Sequence, residues 1–392
     1  MPAHGTPLPV DRAARPLARA GAAPHAGPVS LLRRATTVIA CVVALVACAS
    51  GAPAPGSPAG PPPPPPSFTL VAGGDVLIHS TVTDQAVADG GGVPDFGPQL
   101  AALAPPVSGA DLALCHLEVP LARPGGPYAG YPSFNAPPEL ARGLAGIGYD
   151  GCSTASNHAL DQGAEGLDRT LGTLDAAGLR HAGTARTPDE AGATTMYDVR
   201  GVRVAHLSAT YGLNGQTVPA DRPWSVSLLD PATVLSAAAR ARAAGAQVVV
   251  LSAHWGTEND PEPDFQQLRL APELLASPDV DLIIGHHAHV VQPFERIGDE
   301  WVAYGLGNQL ADQETPGTDD GALARFTFTP GADGRWHVNR AEYLPTWIDA
   351  GPPIRVRDVS AAPPGSPAAA ARDRTDARVA GRGAVAAGLT RG

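Results

Sequence analysis

The chain of 392 residues contains no lysine, and its 27 basic residues are all Arg. That absence removes every chemistry needing a side-chain amine, including the P-loop lysine, the Schiff-base lysine and the Ser-Lys dyad. Cysteine is scarce, four in all, and no two are spaced as CxxC, so a structural zinc site built from thiolates is excluded. Aromatics make up 5% of the residues, and the formal net charge is −11. A chain this acidic is not built for nonspecific binding to nucleic acid or anionic lipid. Gly and Pro are in excess, 45 and 42, and they crowd both ends. The stretch 68–354 between those ends is long enough for one large α/β domain with its own core.

The N-terminal part reads as a secretion signal. Arg33 and Arg34 precede an uncharged apolar run at 35–47, about as long as a signal-peptide h-region and short for a bilayer span. The run closes on Leu45-Val46-Ala47-Cys48, which resembles a bacterial lipobox, where Cys48 is lipidated and becomes the new N-terminus. Residues 1–48 are therefore expected to act as a signal peptide, leaving the protein anchored on the extracellular face of the membrane. A signal cleaved without lipidation would leave it secreted. Residues 49–67 form a Pro-rich linker whose six consecutive prolines at 61–66 favour stiff polyproline II. At the far end, 355–392 is rich in Ala, Pro and Arg without apolar periodicity and reads as disordered. Cys115 and Cys152 lie in apolar segments; spacing cannot establish a disulfide, and two small buried thiols are the expectation.

Between these ends, strand-like and helix-like segments alternate. Short apolar runs at 68–72, 111–118, 149–155, 202–208, 247–254 and 280–285 read as strands. Segments 137–146, 163–177 and 231–244 carry helical spacing, two of them opened by Pro. Later, hairpin signals take over at 294–304 and around Gly331 to Gly334. A βα-like first part and a β-rich last part suggest a layered α/β sandwich.

Polar residues recur where the strands stop. The first ends in Gly74-Asp75, the second in His116-Leu117-Glu118, the third in Ser156-Asn157-His158. Two later ones end in His254-Trp255-Gly256-Thr257-Glu258 and in Gly285-His286-His287-Ala288-His289. Each has a bland explanation by itself: Asp75 as a helix cap, Asn157 in a turn, His254 as a core histidine. Ligands gather at carboxyl strand ends in α/β sheets, and Asp, Glu, Asn and His without thiols describe an oxygen/nitrogen metal site.

Taken in order, these motifs, with Tyr304-Gly305-Leu306-Gly307-Asn308 further on, resemble the bacterial CapA family of poly-γ-glutamate capsule synthesis proteins. The resemblance runs from 68 to about 310. It implies a calcineurin-like metallophosphoesterase domain, a four-layer α-β-β-α sandwich of the metallo-dependent phosphatase type, holding two divalent metals (Mn, Fe or Zn). By that resemblance Asp75 binds the first metal, Glu118 bridges, Asn157, His254 and His287 hold the second, and His289 returns to the first. His158 matches the histidine that protonates a leaving oxygen, and Asp161 holds a histidine tautomer or caps a helix. There are departures. Leu77 stands where a His is frequent, with His79 offset nearby, and His116 replaces an Asn. The first metal is therefore expected to have few protein ligands, and His286 to be a neighbour rather than a ligand.

The resemblance implies a lipid-anchored protein making or processing a capsular or cell-wall polymer, with an anionic polymer or phosphoester as substrate and no nucleic acid partner. A catalytically silent scaffold of a polymer synthase complex is the rival class. A secreted nucleotide hydrolase fits less well, because no base-stacking domain has room after Ile354. If Cys48 is the lipid site, the protein fractionates with membranes yet is cut by protease added outside. Cys48→Ser should then abolish incorporation of radiolabelled fatty acid; unmodified protein in the cytosol would remove the secretion reading.

Overall fold

The computed structural model describes residues 67–392. The proposed signal, Cys48 and all but the last residue of the linker lie outside the described residues. The chain opens a first sheet with β1 (Phe68–Val76), β2 (Leu112–Leu117), β3 (Gly151–Ser153) and β4 (Arg180–Ala182), paired side by side in parallel. It then builds a second sheet from β5 (Thr195–Val199), β6 (Val202–Thr210), β7 (Val248–His254), β8 (Leu282–His286), β9 (Phe294–Ile297) and β10 (Glu300–Ala303). The order there is β5-β6-β7-β8-β10-β9. Finally β11 (Asn308–Leu310), β12 (Asp320–Pro330), β13 (Trp336–Asp349), β14 (Arg355–Asp358) and β15 (Leu389–Arg391) return to the first sheet, with β12 antiparallel to β1.

Side-chain alternation explains the layers. In β1 and β2, Phe68, Leu70, Ala72, Leu112 and Leu114 share one buried cluster with Val202, Val204, Val248, Val250, Leu282 and Ile284 of the second sheet. That cluster is the seam between the sheets. The intervening residues, Val71, Ala113 and Cys115, face outward onto the helices Ser80–Asp89, Glu139–Gly146 and Gly163–Ala176. On the far side, Ala205, Val249, Leu251 and Ile283 meet the helices Pro231–Ala243 and Phe265–Leu275. Strands buried on both faces read as continuous apolar runs, as 247–254 did. The result is the expected four-layer α-β-β-α sandwich.

Two expectations are corrected. The tail 355–392 is not disordered, and the domain does not stop at Ile354. The tail contributes β14, the helix Pro367–Val379 and β15, and it buries Ala371, Val379, Ala384 and Leu389. Its helix starts at Ser366, whose side chain accepts the Ala369 amide, followed by Pro367 in the first turn. It docks mainly by charge: Arg374 makes two contacts with the wholly buried Asp320 at 2.6 and 2.7 Å, and Arg378 adds one at 3.3 Å. Tyr343 donates to Asp376 at 2.8 Å. The other correction concerns the cysteines. Parallel register sets Cys115 opposite Cys152 with their Cα atoms 4.4 Å apart, within disulfide reach, and the pair is a disulfide rather than two thiols.

Removing the tail would expose Val379 and Leu389, each worth ~1.5–3 kcal/mol of burial. A chain ending at Ile354 should therefore melt well below one ending at Gly392, or fail to fold. Arg374→Ala, which takes the main partner from Asp320, should lower stability by about 1–3 kcal/mol in chemical denaturation. Equal stability of the truncated and full chains would make the tail dispensable.

Candidate metal centre

The alternation that builds the seam also builds the site. Inward-facing Leu112 and Leu114 of β2 are followed by His116; Val248 and Val250 of β7 lead to His254; Leu282 and Ile284 of β8 lead to His286. All three histidines are buried. Asp75 reaches the same edge near the end of β1, where its amide donates to Gly307 O at 2.9 Å. Gly74 makes that crossing possible, since a Cβ there would stand 2.2 Å from Gly307 O. After β8 the chain turns sharply. His287 and His289 have φ of +88° and +56°, a left-handed conformation that side chains rarely adopt and that clusters at functional sites.

Asp75 joins the sheets. Its Oδ1 lies 3.1 Å from His286 Nδ1, while Oδ2 accepts the His287 amide at 3.0 Å and lies 3.3 Å from His289 Nδ1. His254 bridges two neighbours, with Nε2 2.9 Å from Asn157 Oδ1 and Nδ1 2.9 Å from His116 Nε2. The His116 ring stacks on His286 at 4.1 Å between centroids and reaches Ser153 Oγ at 2.8 Å. Asn308 Oδ1 is 3.0 Å from His289 Nδ1. Tyr211, just past β6, lies with its ring 4.5 Å from that of His287.

Glu118 is the anomaly. It is buried, and neither carboxylate oxygen has a hydrogen-bond partner; the nearest ring nitrogens, on His254 and His289, are 3.8 and 3.7 Å from Oε1. Burial, with the charges of Asp75, Glu258 and Asp161, pushes its pKa well up against the opposing pull of His289. Burial would raise Asp75 too, but the histidine hydrogen bonds and charges outweigh it and hold this carboxyl well below the usual range. Burial and the neighbouring rings keep His116 and His254 low, and His287 falls to about 3. His289, buried between Glu118 and Asp75, rises to about 9. Neutral imidazoles are the form that binds cations. An orphaned carboxylate beside them is what a bound cation would satisfy.

Atoms able to ligate a metal gather in two buried groups, Asp75 with His116 and His286, and Glu118 with His287 and His289, each within a span of 4.8 Å. Asp75, Glu118, Asn157, His254, His287 and His289 thus come together. The structure departs from the expectation in placing His116 and His286 beside Asp75, which gives that group ring nitrogens enough to hold a cation, and in grouping His289 with Glu118 and His287 rather than with Asp75. The signal for His116 and His286 was present: both lie in phase with the apolar seam residues two and four places before them. His79 stands at the margin of the cluster and in neither group, its ring edge-on to Phe134 at 5.5 Å and its Nδ1 taking the Asp312 amide at 3.1 Å. His158 sits at the edge of the cluster, Nδ1 2.8 Å from Asp161 Oδ2, its ring edge-on to Phe134 at 4.7 Å. No Arg hydrogen-bonds or ion-pairs with any of these residues among the described residues. Arg123, Arg142 and Arg296 are in surface pairs with Glu165, Glu139 and Asp299.

Fold and site together define an α/β sandwich with a buried, thiol-free cluster of Asp, Glu and His at its carboxyl strand ends, fit for two divalent cations. Residues 69–313 match the model of the family described as bacterial capsule synthesis protein PGA_cap, and the chain belongs to that family. It is similar to the PGA biosynthesis protein CapA of Bacillus subtilis, 31% identical over 202 residues, 51% of this chain and 52% of that one. The capsule biosynthesis protein CapA of Bacillus anthracis is 31% identical over 197 residues, 49% of this chain and 47% of that one. The chain thus spans about half the length of these relatives. Among solved structures, it is similar to the calcineurin-like phosphoesterase YfkN of Bacillus subtilis, with TM-score 0.44 and 14% identity over 80% of this chain and 98% of that one.

Substitution separates the ligand sets. His116→Ala and His286→Ala should each lower metal content measured by elemental analysis, whereas His79→Ala should leave it unchanged. Asn308→Ala, which releases His289, should weaken cation affinity by roughly 10–100-fold.

Proposed function

We propose that this protein is a metal-dependent phosphoester hydrolase that works on a capsular or cell-wall polymer outside the cell, held to the membrane through Cys48. The orphaned Glu118 carboxylate, reached from the first sheet and buried beside His254, His287 and His289 of the second, carries the reading. Asp75, His116 and His286 would hold one cation, and His287 and His289 the other, with Glu118 between them and His254 and Asn157 completing the set. When bound, two such cations polarise an ester and make a water acidic enough to ionise near neutral pH. The two Bacillus relatives are named for PGA and capsule biosynthesis, and we extend that setting to this chain, with an anionic polymer or its phosphoester precursor as substrate.

His158 is assigned the leaving group. Asp161 accepts from Nδ1, which fixes the ring and leaves Nε2 to deliver a proton. Asp161 also accepts the Phe134 amide at 2.7 Å, so the pair is braced from both sides. The site's own residues thus divide into cation holders and one proton carrier.

His158→Ala should keep its metal and fold while losing about 10²–10⁴-fold in turnover of an alkyl phosphodiester. A nitrophenyl ester, whose leaving group needs little protonation, should be partly spared. Wild-type protein that binds metal but turns over no phosphoester, in cells where His158→Ala still supports polymer production, would instead mark a scaffold of the synthase complex. Loss of metal in His158→Ala would place His158 among the cation holders.

A further inference from the structure

The loop that follows β6 supplies no cation holder, yet it touches three of them. The Tyr211 amide donates to His254 O at 2.9 Å, and the Tyr211 ring lies against that of His287. Three residues on, Asn214 Oδ1 accepts from Asn157 Nδ2 at 3.2 Å.

The loop is built to hold Asn214 in one place. Leu213 O accepts the Gln216 amide at 2.9 Å, and Asn214 and Gly215 between them have φ of +50° and +79°. Two left-handed residues inside such a bond make a type I′ turn, and Asn is one of the few side chains that accept that backbone. Leu213 anchors the turn, buried in the apolar cluster that holds Phe134, Ala155 and Leu160 on the first sheet's outer side. Thr210 Oγ steadies its start by donating to Gly212 O at 3.0 Å. A loop leaving the second sheet is thus pinned in the first layer, and the exposed Asn214 at its tip meets Asn157, which follows β3 of the first sheet.

Asn157 needs such a partner. It is buried, with Oδ1 2.9 Å from His254 Nε2, and Glu118 Oε1 lies 3.8 Å from the same nitrogen. Only the oxygen end of an amide can bind a cation, because the nitrogen end presents two hydrogens. The two ends have nearly the same shape, so hydrogen bonds, not packing, decide which one faces the cluster. His254 cannot decide alone, since a neutral imidazole nitrogen donates in one tautomer and accepts in the other. The choice falls to the outer end. With Oδ1 turned toward the cluster, Nδ2 needs an acceptor on the opposite side, and Asn214 supplies it.

We infer that Asn214 is a positioning residue, which keeps the oxygen of the Asn157 amide directed at the cation site. The inference rests on the proposal that the cluster binds cations, and is independent of whether the protein hydrolyses an ester. Without Asn214 the Asn157 amide is free to turn in the cation-free protein. Binding must then turn it back and leave Nδ2 without its acceptor, and affinity falls by that amount.

Mn²⁺ titration of the purified, chelator-stripped full chain tests this, with free Mn²⁺ read by paramagnetic resonance. Asn214→Gly removes the acceptor and keeps the left-handed backbone free of strain. It should weaken uptake of one cation by roughly tenfold, the loss of one hydrogen bond, while the stripped protein melts near wild type. Asn214→Asp accepts at both oxygens and should bind at least as tightly as wild type. Asn157→Asp has no wrong end to present, so adding Asn214→Gly to it should cause no such loss. Undiminished binding by Asn214→Gly, or the same tenfold loss in the Asn157→Asp background, would overturn the inference. Weak binding by Asn214→Asp would overturn it as well, by placing the effect in the turn and not in its acceptor. Wild type that takes up no Mn²⁺ would instead remove the cation site itself, and this inference with it.

Discussion

One buried carboxylate holds the two sheets in register at their functional edge. Asp75 lies near the end of the first sheet's central strand, yet its side-chain partners His286, His287 and His289 belong to the last residue of β8 in the second sheet and the turn after it. Oδ1 is engaged by the strand end and Oδ2 by the turn, where the left-handed backbone at His287 and His289 brings their groups inward. Asp75 is thus both the clamp between layers and a member of a buried group able to hold a cation. A side chain with two such roles couples them: whatever loosens the sheets also disperses the ligands.

Much of the fold was legible because its strands are buried on both faces. Runs such as Val248-Val249-Val250-Leu251 leave few alternatives, and glycines and prolines mark where they end. Polar residues at the ends of those runs gave the cluster. The assignments within it were harder. His286 looked like a spare in a histidine-rich loop, and His116 like a departure from a pattern, until strand phase placed both on the inward face. Phase is a stronger guide than neighbourhood in sequence here, since His287 is adjacent to His286 but takes its place only after the backbone has left the strand.

The tail was opaque for a different reason. Its helix has no broad apolar stripe; Ala side chains and Arg pairs to Asp320 replace it, and such a helix resembles disordered sequence until its partners are known. The helix Phe265–Leu275 was hidden by Pro272 within it, although Asp264 and Gln267 form a reciprocal cap at its start. Both elements depend on polar contacts at particular positions, which periodicity does not record. The paired cysteines share this property: only strand register sets Cys115 against Cys152.

That cross-link has a consequence for the edge it joins. It closes a loop of sequence separation 37 and joins β2 to β3, one residue before His116 and one before Ser153. On the chain-entropy model a loop of that size is worth about 4 kcal/mol. Strand register sets the two sulfurs opposite each other, so the bond adds to an edge that packing and pairing already align. Where thiols are kept reduced, the same edge relies on packing and hydrogen bonds alone. In an oxidising compartment the bond would fasten the edge that carries His116.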